Sequence, residues 1–314
     1  MSWSGGSDVR SVAVICGPTA AGKSAIAMEL ARRTGALLIS ADSRQVYRGF
    51  DIGTAKPSAA DQGSVVHRGI DVIEPTQRYS AAEWSASALE WMSAADANGQ
   101  PVIVVGGTGF YLRAMDSPLF ESPYLDPARR GEVLTVLDGL TTDELRQRCT
   151  EVDPARAALG RTQLLRALEI FMLTGRPLSA WLVENARPAQ VQARYLLVDP
   201  GAALRERIAG RVAQMLAQGW EAEVAQLAAL IPRDAPAWNA CGYTMLRAAL
   251  DGEMSRGSAI ERTITDTRQY AKRQRTWFRH QLPAARVTPL DPASPGAQSR
   301  AATWLETASL SEHL

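Results

Sequence analysis

The segment Gly17-Pro-Thr-Ala-Ala-Gly22-Lys23-Ser24 constrains the fold more than any other part of the chain. It satisfies G-x-x-x-x-G-K-[ST] in full. It stands between an apolar run, Ser11–Cys16, and a stretch from Lys23 to Arg33 whose Ala/Ile/Met/Leu spacing is helical. In that setting the glycines let backbone N–H groups converge on phosphate oxygens at the positive end of a helix. Lys23 supplies a point charge for the terminal phosphate, and Ser24 offers a hydroxyl to Mg²⁺. Gly17, Pro18, Thr19, Ala20, Ala21, Gly22, Lys23 and Ser24 are therefore expected to form a phosphate site. The alternative is a chance match in an ordinary strand–turn–helix.

A second apolar run, Ala36–Ile39, follows at once. Strand, helix and strand in so short a span make a βαβ unit, so the sheet should be parallel. Ala81–Ala97 reads as a helix stopped by Asn98-Gly99, and Pro101–Val105 and Tyr195–Val198 read as further buried strands. Between those two strands no stretch reads convincingly as strand, whereas Asp143–Arg148, Thr162–Leu173 and Leu178–Glu184 favour helix. Long helices return from Gly201 to His280, and the tail from Pro283 is Pro/Ala/Ser-rich with a strand-like patch at Arg286–Leu290. The expected architecture is α/β: a P-loop NTPase-like parallel sheet flanked by helices, with a helical insertion domain. Its expected parts are a first core segment at 1–115, the insertion at 116–193, and a second core segment at 194–314 that carries a basic helix.

A chain of 314 residues with 46% hydrophobic and 21% charged residues can bury a sizeable core without disulfides or a structural metal. Cys16, Cys149 and Cys241 are far apart and form no CxxC pair, which points to a reducing cytosol. The start, Met1–Arg10, reads as a polar lead-in and not a signal peptide, and no stretch reaches the ~18 apolar residues that span a bilayer. A soluble, cytoplasmic protein with no membrane partner is expected. His67, His280 and His313 are isolated and none is assigned to a metal.

The net charge of +1 gives no global sign of nucleic acid, but the distribution does. Six cations lie within Arg262–Arg279, opposed by Asp266 alone. Arg268, Lys272, Arg275 and Arg279 are spaced to share one helical face, beside an apolar stripe of Ile264, Ala271 and Phe278. Phosphate contact is the sharper reading, and a solvated face of an amphipathic helix is the plainer one.

Many P-loop NTPases hold Mg²⁺ through an Asp at the end of a later strand. Here Val102–Val105 runs instead into Gly106-Gly107-Thr108, which argues against ATPase and GTPase readings. The Thr108 hydroxyl either faces the phosphates from the strand's carboxyl end or caps the next helix. Asp42, in Ser40-Ala-Asp-Ser-Arg-Gln45, follows the second strand. It is a candidate base for an acceptor, or else the N-cap of a short helix at Ser43–Tyr47. Gly53-Thr-Ala-Lys56-Pro57 is a polar loop with one cation.

Seven segments in register resemble tRNA dimethylallyltransferases, the tRNA isopentenyltransferase family, from about Val12 to Arg279. They are the P-loop, Asp42-Ser43 with Gln45–Gly49, Asp51–Pro57, Val105–Gly109, Arg166-Ala-Leu-Glu169, Gly242-Tyr243, and Thr267–Gln274 with Thr276-Trp-Phe278. The resemblance implies a prenyl transferase that takes dimethylallyl diphosphate as donor, its diphosphate in the P-loop, with Mg²⁺ as cofactor. The implied acceptor is N6 of adenosine 37, 3′ to the anticodon, in tRNAs reading codons that begin with U, so the anticodon stem-loop is the RNA partner.

On the same resemblance Asp42 is the general base, Thr108 touches the bridging oxygen of the donor, and Lys23 and Arg211, four residues before Met215, stabilise the leaving diphosphate. Contacts to tRNA are implied at Asp42, Ser43, Arg44, Gln45, Thr108, Arg130, Gln163 and Arg166. The basic helix adds Arg268, Lys272 and Arg273. The family usually has an arginine three residues before Arg166, where this chain has Gln163, with Arg161 two residues earlier; Arg44 replaces a residue that is usually neutral. A monomer is expected. The main rival is a P-loop kinase of a nucleotide or small molecule; the others are a nucleic-acid-binding NTPase switch without transfer chemistry and, closer to the main reading, prenylation of free adenine nucleotide.

Overall fold

In strand β1 (Arg10–Cys16) every residue from Val12 to Cys16 is buried, because both faces of the strand are covered. Val12, Val14 and Cys16 face one core and Ala13 and Ile15 the other, as the two-residue period of a strand requires. The computed structural model describes residues 9–117, 125–184 and 189–310. The lead-in before Val9 and His313 lie outside the described residues.

After β1 come α1 (Lys23–Thr34), β2 (Leu37–Ala41), α2 (Ala59–Ser64), β3 (His67–Arg68), α3 (Ala81–Ala97), β4 (Val102–Gly106) and α4 (Gly109–Asp116). Four helices follow: α5 (Pro127–Asp138), α6 (Thr142–Val152), α7 (Arg161–Thr174) and α8 (Leu178–Glu184). The chain then returns through β5 (Val191–Val198), α9 (Leu204–Ala217), α10 (Trp220–Leu230), α11 (Tyr243–Leu250), α12 (Arg256–Gln281), β6 (Val287–Leu290) and α13 (Ala297–Leu310). All described strand pairs are parallel, in the order β3-β2-β4-β1-β5-β6. The carboxyl ends of β1, β2 and β4 therefore share one edge, the edge at which ligands of open parallel sheets bind.

Two compact units result: Met1–Asp116 with Gln190–Leu314, and Ser117–Ala189. The second has its own core of Leu137, Leu145, Cys149, Leu164, Leu168 and Leu178. Its first described helix, α5, is absent from the sequence expectations; Gly131 interrupts its pattern, but Asp126 accepts from Ala128 N at 3.0 Å and Pro127 stands at the first turn, an effective helix start.

Two other elements differ from expectation. Strand β5 begins at Val191, four residues before Tyr195, and pairs with β1 from Val191 to Leu197. Gln192 and Arg194 obscure its apolar run, yet Arg194 is accommodated because Nη2 donates to Trp304 O at 2.9 Å and its guanidinium lies 5.3 Å from the Trp304 ring. The Pro/Ala/Ser-rich tail contains α13, whose Ala297, Ala301, Ala302 and Trp304 are buried in the same core as α1. Small residues allow that close approach, and no strong apolar period announces it. Pro289 is tolerated because β6 lies at the edge of the sheet.

Among the described residues no helix is long and apolar enough to cross a membrane.

Candidate active site

The P-loop bends into its shape only with glycine at two positions. Gly17 has φ 146°, and a Cβ there would lie 2.1 Å from Val198 O. Gly22, at the N-cap of α1, has φ 101°. Two side chains from distant helices hold the turn between them. Gln274 of α12 accepts from Thr19 N at 2.8 Å, and Arg207 of α9 donates from Nε to Ala20 O at 3.0 Å. Ala20 itself sits at φ 61°, a conformation that needs such support.

Lys23 Nζ donates to Pro18 O at 2.7 Å. Burial and the neighbouring Arg211 guanidinium push the Lys23 ammonium down to about 8, while Asp42 and Cys16 pull the other way. Burial also lowers Arg211, which Asp42 opposes. The P-loop, α9 and the β2 end thus share one electrostatic neighbourhood.

Register brings the other groups in. Ala41 pairs with Gly106, so Asp42 and Gly107 leave the sheet side by side. Thr108 N donates to Ala41 O at 3.1 Å, and Ser43 N donates to Thr108 Oγ1 at 3.0 Å. The Thr108 hydroxyl is therefore turned to the β2 loop and to the Tyr270 hydroxyl, while its carbonyl accepts from Tyr111 N and Leu112 N of α4. No helix forms at Ser43–Tyr47. Asp42 Oδ1 instead accepts from Arg44 N at 2.9 Å, closing a turn, and Tyr47 bridges to Ile73. The Val46 carbonyl accepts from Val72 N at 2.8 Å and Ile73 N at 3.0 Å, so it is taken by a neighbouring segment and not by a helical turn.

The loop at Gly53–Pro57 does not present its cation. The Lys56 side chain is 3% exposed, and its ammonium binds Tyr47 O at 2.8 Å, Asp51 at 2.5 Å and Asp71 at 2.6 Å. Gln45 is similarly engaged: its amide donates to Thr54 O and Ala55 O at 3.2 and 3.0 Å and accepts from Ser40 Oγ at 2.8 Å.

These elements enclose a cavity of ≈ 440 Å³. Its wall includes Thr19, Lys23, Ser24, Asp42, Arg44, Gln45, Arg211 and Arg273, with Met28, Val212, Met215 and Trp220 as apolar lining. Gly106 and Gly107 also line it, and Thr108 stands one residue beyond. Cations, a carboxylate and apolar surface in one cavity suit a ligand with an anionic head and a hydrocarbon body. The sequence reading missed Gln274 and Arg207 as supports; the only available signal was a glutamine on the apolar stripe of a cationic helix.

Residues 45–281 match the sequence profile described as IPP transferase, and residues 10–71 match the one described as isopentenyl transferase. The chain belongs to the IPP transferase family. It is 39% identical over 294 residues to the tRNA dimethylallyltransferase of Myxococcus xanthus, covering 91% of this chain and 94% of that one. With the tRNA dimethylallyltransferase of Azorhizobium caulinodans it shares 42% over 278 residues, covering 86% and 89%. The tRNA isopentenylpyrophosphate transferase structure from Bacillus halodurans is 32% identical with a TM-score of 0.68, covering 98% and 100% of the two chains. A eukaryotic dimethylallyltransferase acting on tRNA, at 24% identity, TM-score 0.79 and 97% and 80% coverage, shares the fold.

In this family member the basic face of α12 is only partly free. Arg275 binds Asp199 through Nε at 2.9 Å and also through Nη2. Arg268 reaches Arg205 O at 3.4 Å, and Arg262 pairs with Asp266. Lys272, Arg273 and Arg279 are exposed. The expected apolar stripe is present, with Ala271 and Phe278 buried and Ile264 partly so. The four-cation face is thus corrected to a narrower one, because Asp199 at the end of β5 captures its third member.

Within the second unit, Arg130 and Arg166 converge on one buried carboxylate, Glu169, at 2.5 and 2.6 Å. Gln163 is exposed, whereas Arg161 donates to Leu140 O at 2.6 Å and Asp138 O at 3.1 Å, closing the end of α5.

Proposed function

We propose that this protein transfers the dimethylallyl group of dimethylallyl diphosphate to N6 of the adenosine 3′ to the anticodon of tRNAs reading codons that begin with U, releasing diphosphate. The observation that carries this reading is the meeting of Lys23, Arg211 and Asp42 around one part-apolar cavity at the carboxyl edge of the sheet, in a member of the IPP transferase family. A kinase reading is disfavoured by the same two facts and by the Gly-Gly-Thr ending of β4.

The allylic carbon gains positive character as negative charge grows on the bridging oxygen. Lys23, the P-loop amides and Arg211 stabilise that charge in a site already arranged for it. Thr108 supplies a hydroxyl at the bridging oxygen, and Asp42 orients the N6 amine and takes its proton as the C–N bond forms. Holding both substrates in line contributes at least as much. A divalent cation fits the site: Ser24 is exposed on the first turn of α1 and lines the cavity, and no acidic cluster among the described residues competes for the ion. Mg²⁺ would be held by Ser24 with phosphate oxygens and water, and would neutralise charge on the leaving group.

Arg44, Lys272 and Arg273 present cations to RNA phosphates, with Arg268 beside them. Asp42, Ser43 and Thr108 meet the flipped adenine. Gln45 acts by holding the 53–55 loop, and Arg130, Gln163 and Arg166 give the second unit its RNA face. The protein works as a cytoplasmic monomer.

Incubation with dimethylallyl diphosphate, Mg²⁺ and unmodified tRNA, followed by digestion and mass analysis of nucleosides, should yield N6-prenylated adenosine. ATP hydrolysis or phosphoryl transfer without that product sinks the proposal. Asp42→Ala should abolish turnover while pyrophosphate still binds.

A further inference from the structure

We infer that Gln274 is a positioning residue that sets the spacing between the donor loop and Thr108. The inference rests on the reading of the P-loop as the donor diphosphate site. Gln274 lies on the buried stripe of α12 between Ala271 and Phe278, and is itself 7% exposed. A carboxamide in that place is costly unless both its ends are satisfied. Both are. Oε1 accepts from Thr19 N at 2.8 Å and Nε2 donates to Gly107 O at 2.9 Å.

One planar amide therefore spans the two loops that must face each other across the donor. Thr19 N belongs to the P-loop, so fixing it fixes the direction of the amides that follow. Gly107 O immediately precedes Thr108, whose hydroxyl already holds Ser43 N beside Asp42. A Cβ on Gly107 would lie 2.4 Å from Gln274 Nε2, so a side chain there would push the amide out of the clamp. The two residues before Gln274, Lys272 and Arg273, are exposed cations on the same helix. The helix proposed to meet RNA thus also braces the diphosphate loop.

The test uses Gln274→Met, which keeps the volume and removes both hydrogen bonds, and Gln274→Glu. Pyrophosphate affinity by calorimetry, steady-state kinetics with donor and tRNA, anticodon stem-loop affinity and thermal unfolding are measured on the full chain. Gln274→Met should weaken pyrophosphate binding about 10-fold and lower kcat about 10- to 100-fold, with stem-loop affinity within about twofold of wild type. In Gln274→Glu, a protonated carboxyl reproduces the amide, donating to Gly107 O and accepting from Thr19 N. An ionised one repels Gly107 O. Its kcat relative to wild type should therefore recover as pH falls from about 8 to about 6, since burial raises the pKa of a carboxyl. Wild-type kinetics and pyrophosphate affinity in Gln274→Met overturn the inference, and so does a flat pH ratio for Gln274→Glu if the Met variant does not fold. Wild-type protein that binds no pyrophosphate overturns the donor reading, and this inference with it.

Discussion

The Ser43 backbone N–H donates to the Thr108 hydroxyl at 3.0 Å, so the loop that carries Asp42 is tied to the loop that ends β4. The Thr108 hydroxyl also lies 3.3 Å from Ser43 Oγ. Asp42 and Thr108 are thereby held as one unit, although they leave different strands. Thr108→Val keeps the shape and removes the acceptor. It should lower the single-turnover rate about 10- to 100-fold, whereas Thr108→Ser should retain most of it. A Val variant with the wild-type rate shows that the tie is dispensable.

The depressed Lys23 pKa gives binding of the proposed donor a pH dependence. Lys23 loses its proton near pH 8 in the free protein, and an anion binds the charged form better. Donor affinity should therefore be level below about pH 8 and fall about tenfold per pH unit above it. Pyrophosphate titrations across that range check this, and Lys23→Met should remove the break. Stability of the free protein follows the opposite sign. The folded value lies below the unfolded one, so between about 8 and 10.5 the unfolded chain binds more protons and Lys23 favours the fold increasingly as pH rises.

Salt dependence separates the free cations of α12 from the captured one. Lys272→Ala and Arg273→Ala should each reduce the slope of log affinity against log salt for the anticodon stem-loop by about one. Arg275→Ala should leave that slope unchanged and lower unfolding stability by about 1–3 kcal/mol, because Asp199 loses a two-bond partner. A reduced slope in Arg275→Ala would show that Arg275 leaves Asp199 for RNA.

Glu169 makes a counterintuitive case. Replacing it with Gln removes a negative charge, which by net charge alone should strengthen RNA binding. Arg130 and Arg166 both take their orientation from Glu169, however, and it is only 3% exposed. Glu169→Gln should therefore weaken stem-loop binding about 3- to 10-fold, measured by fluorescence anisotropy. Unchanged or tighter binding would show that the carboxylate has no orienting role.

Local pattern in the amino-acid sequence determined the parallel sheet, the P-loop, and the arrival of Asp42 and Thr108 at the carboxyl edge. Each depends on a strand period or a turn that nearby residues specify, and Gly17 to Ser24 needs no distant partner to be recognised. The helix at Ala81–Ala97 was legible for the same reason, down to its Asn98 stop. Tertiary structure decided which polar side chains are free. Lys56 turns inward onto Asp51 and Asp71, Arg275 onto Asp199, and Gln274 reaches back to Thr19 and Gly107. Helix α13 was hidden as well, since its alanines are read as core only once α1 is seen beside them. Periodicity tells which face of a helix is buried. The partner that a buried amide or a half-buried guanidinium finds there is set by contacts between residues far apart in the chain, and those exist only when the sheet has brought their strands and helices together.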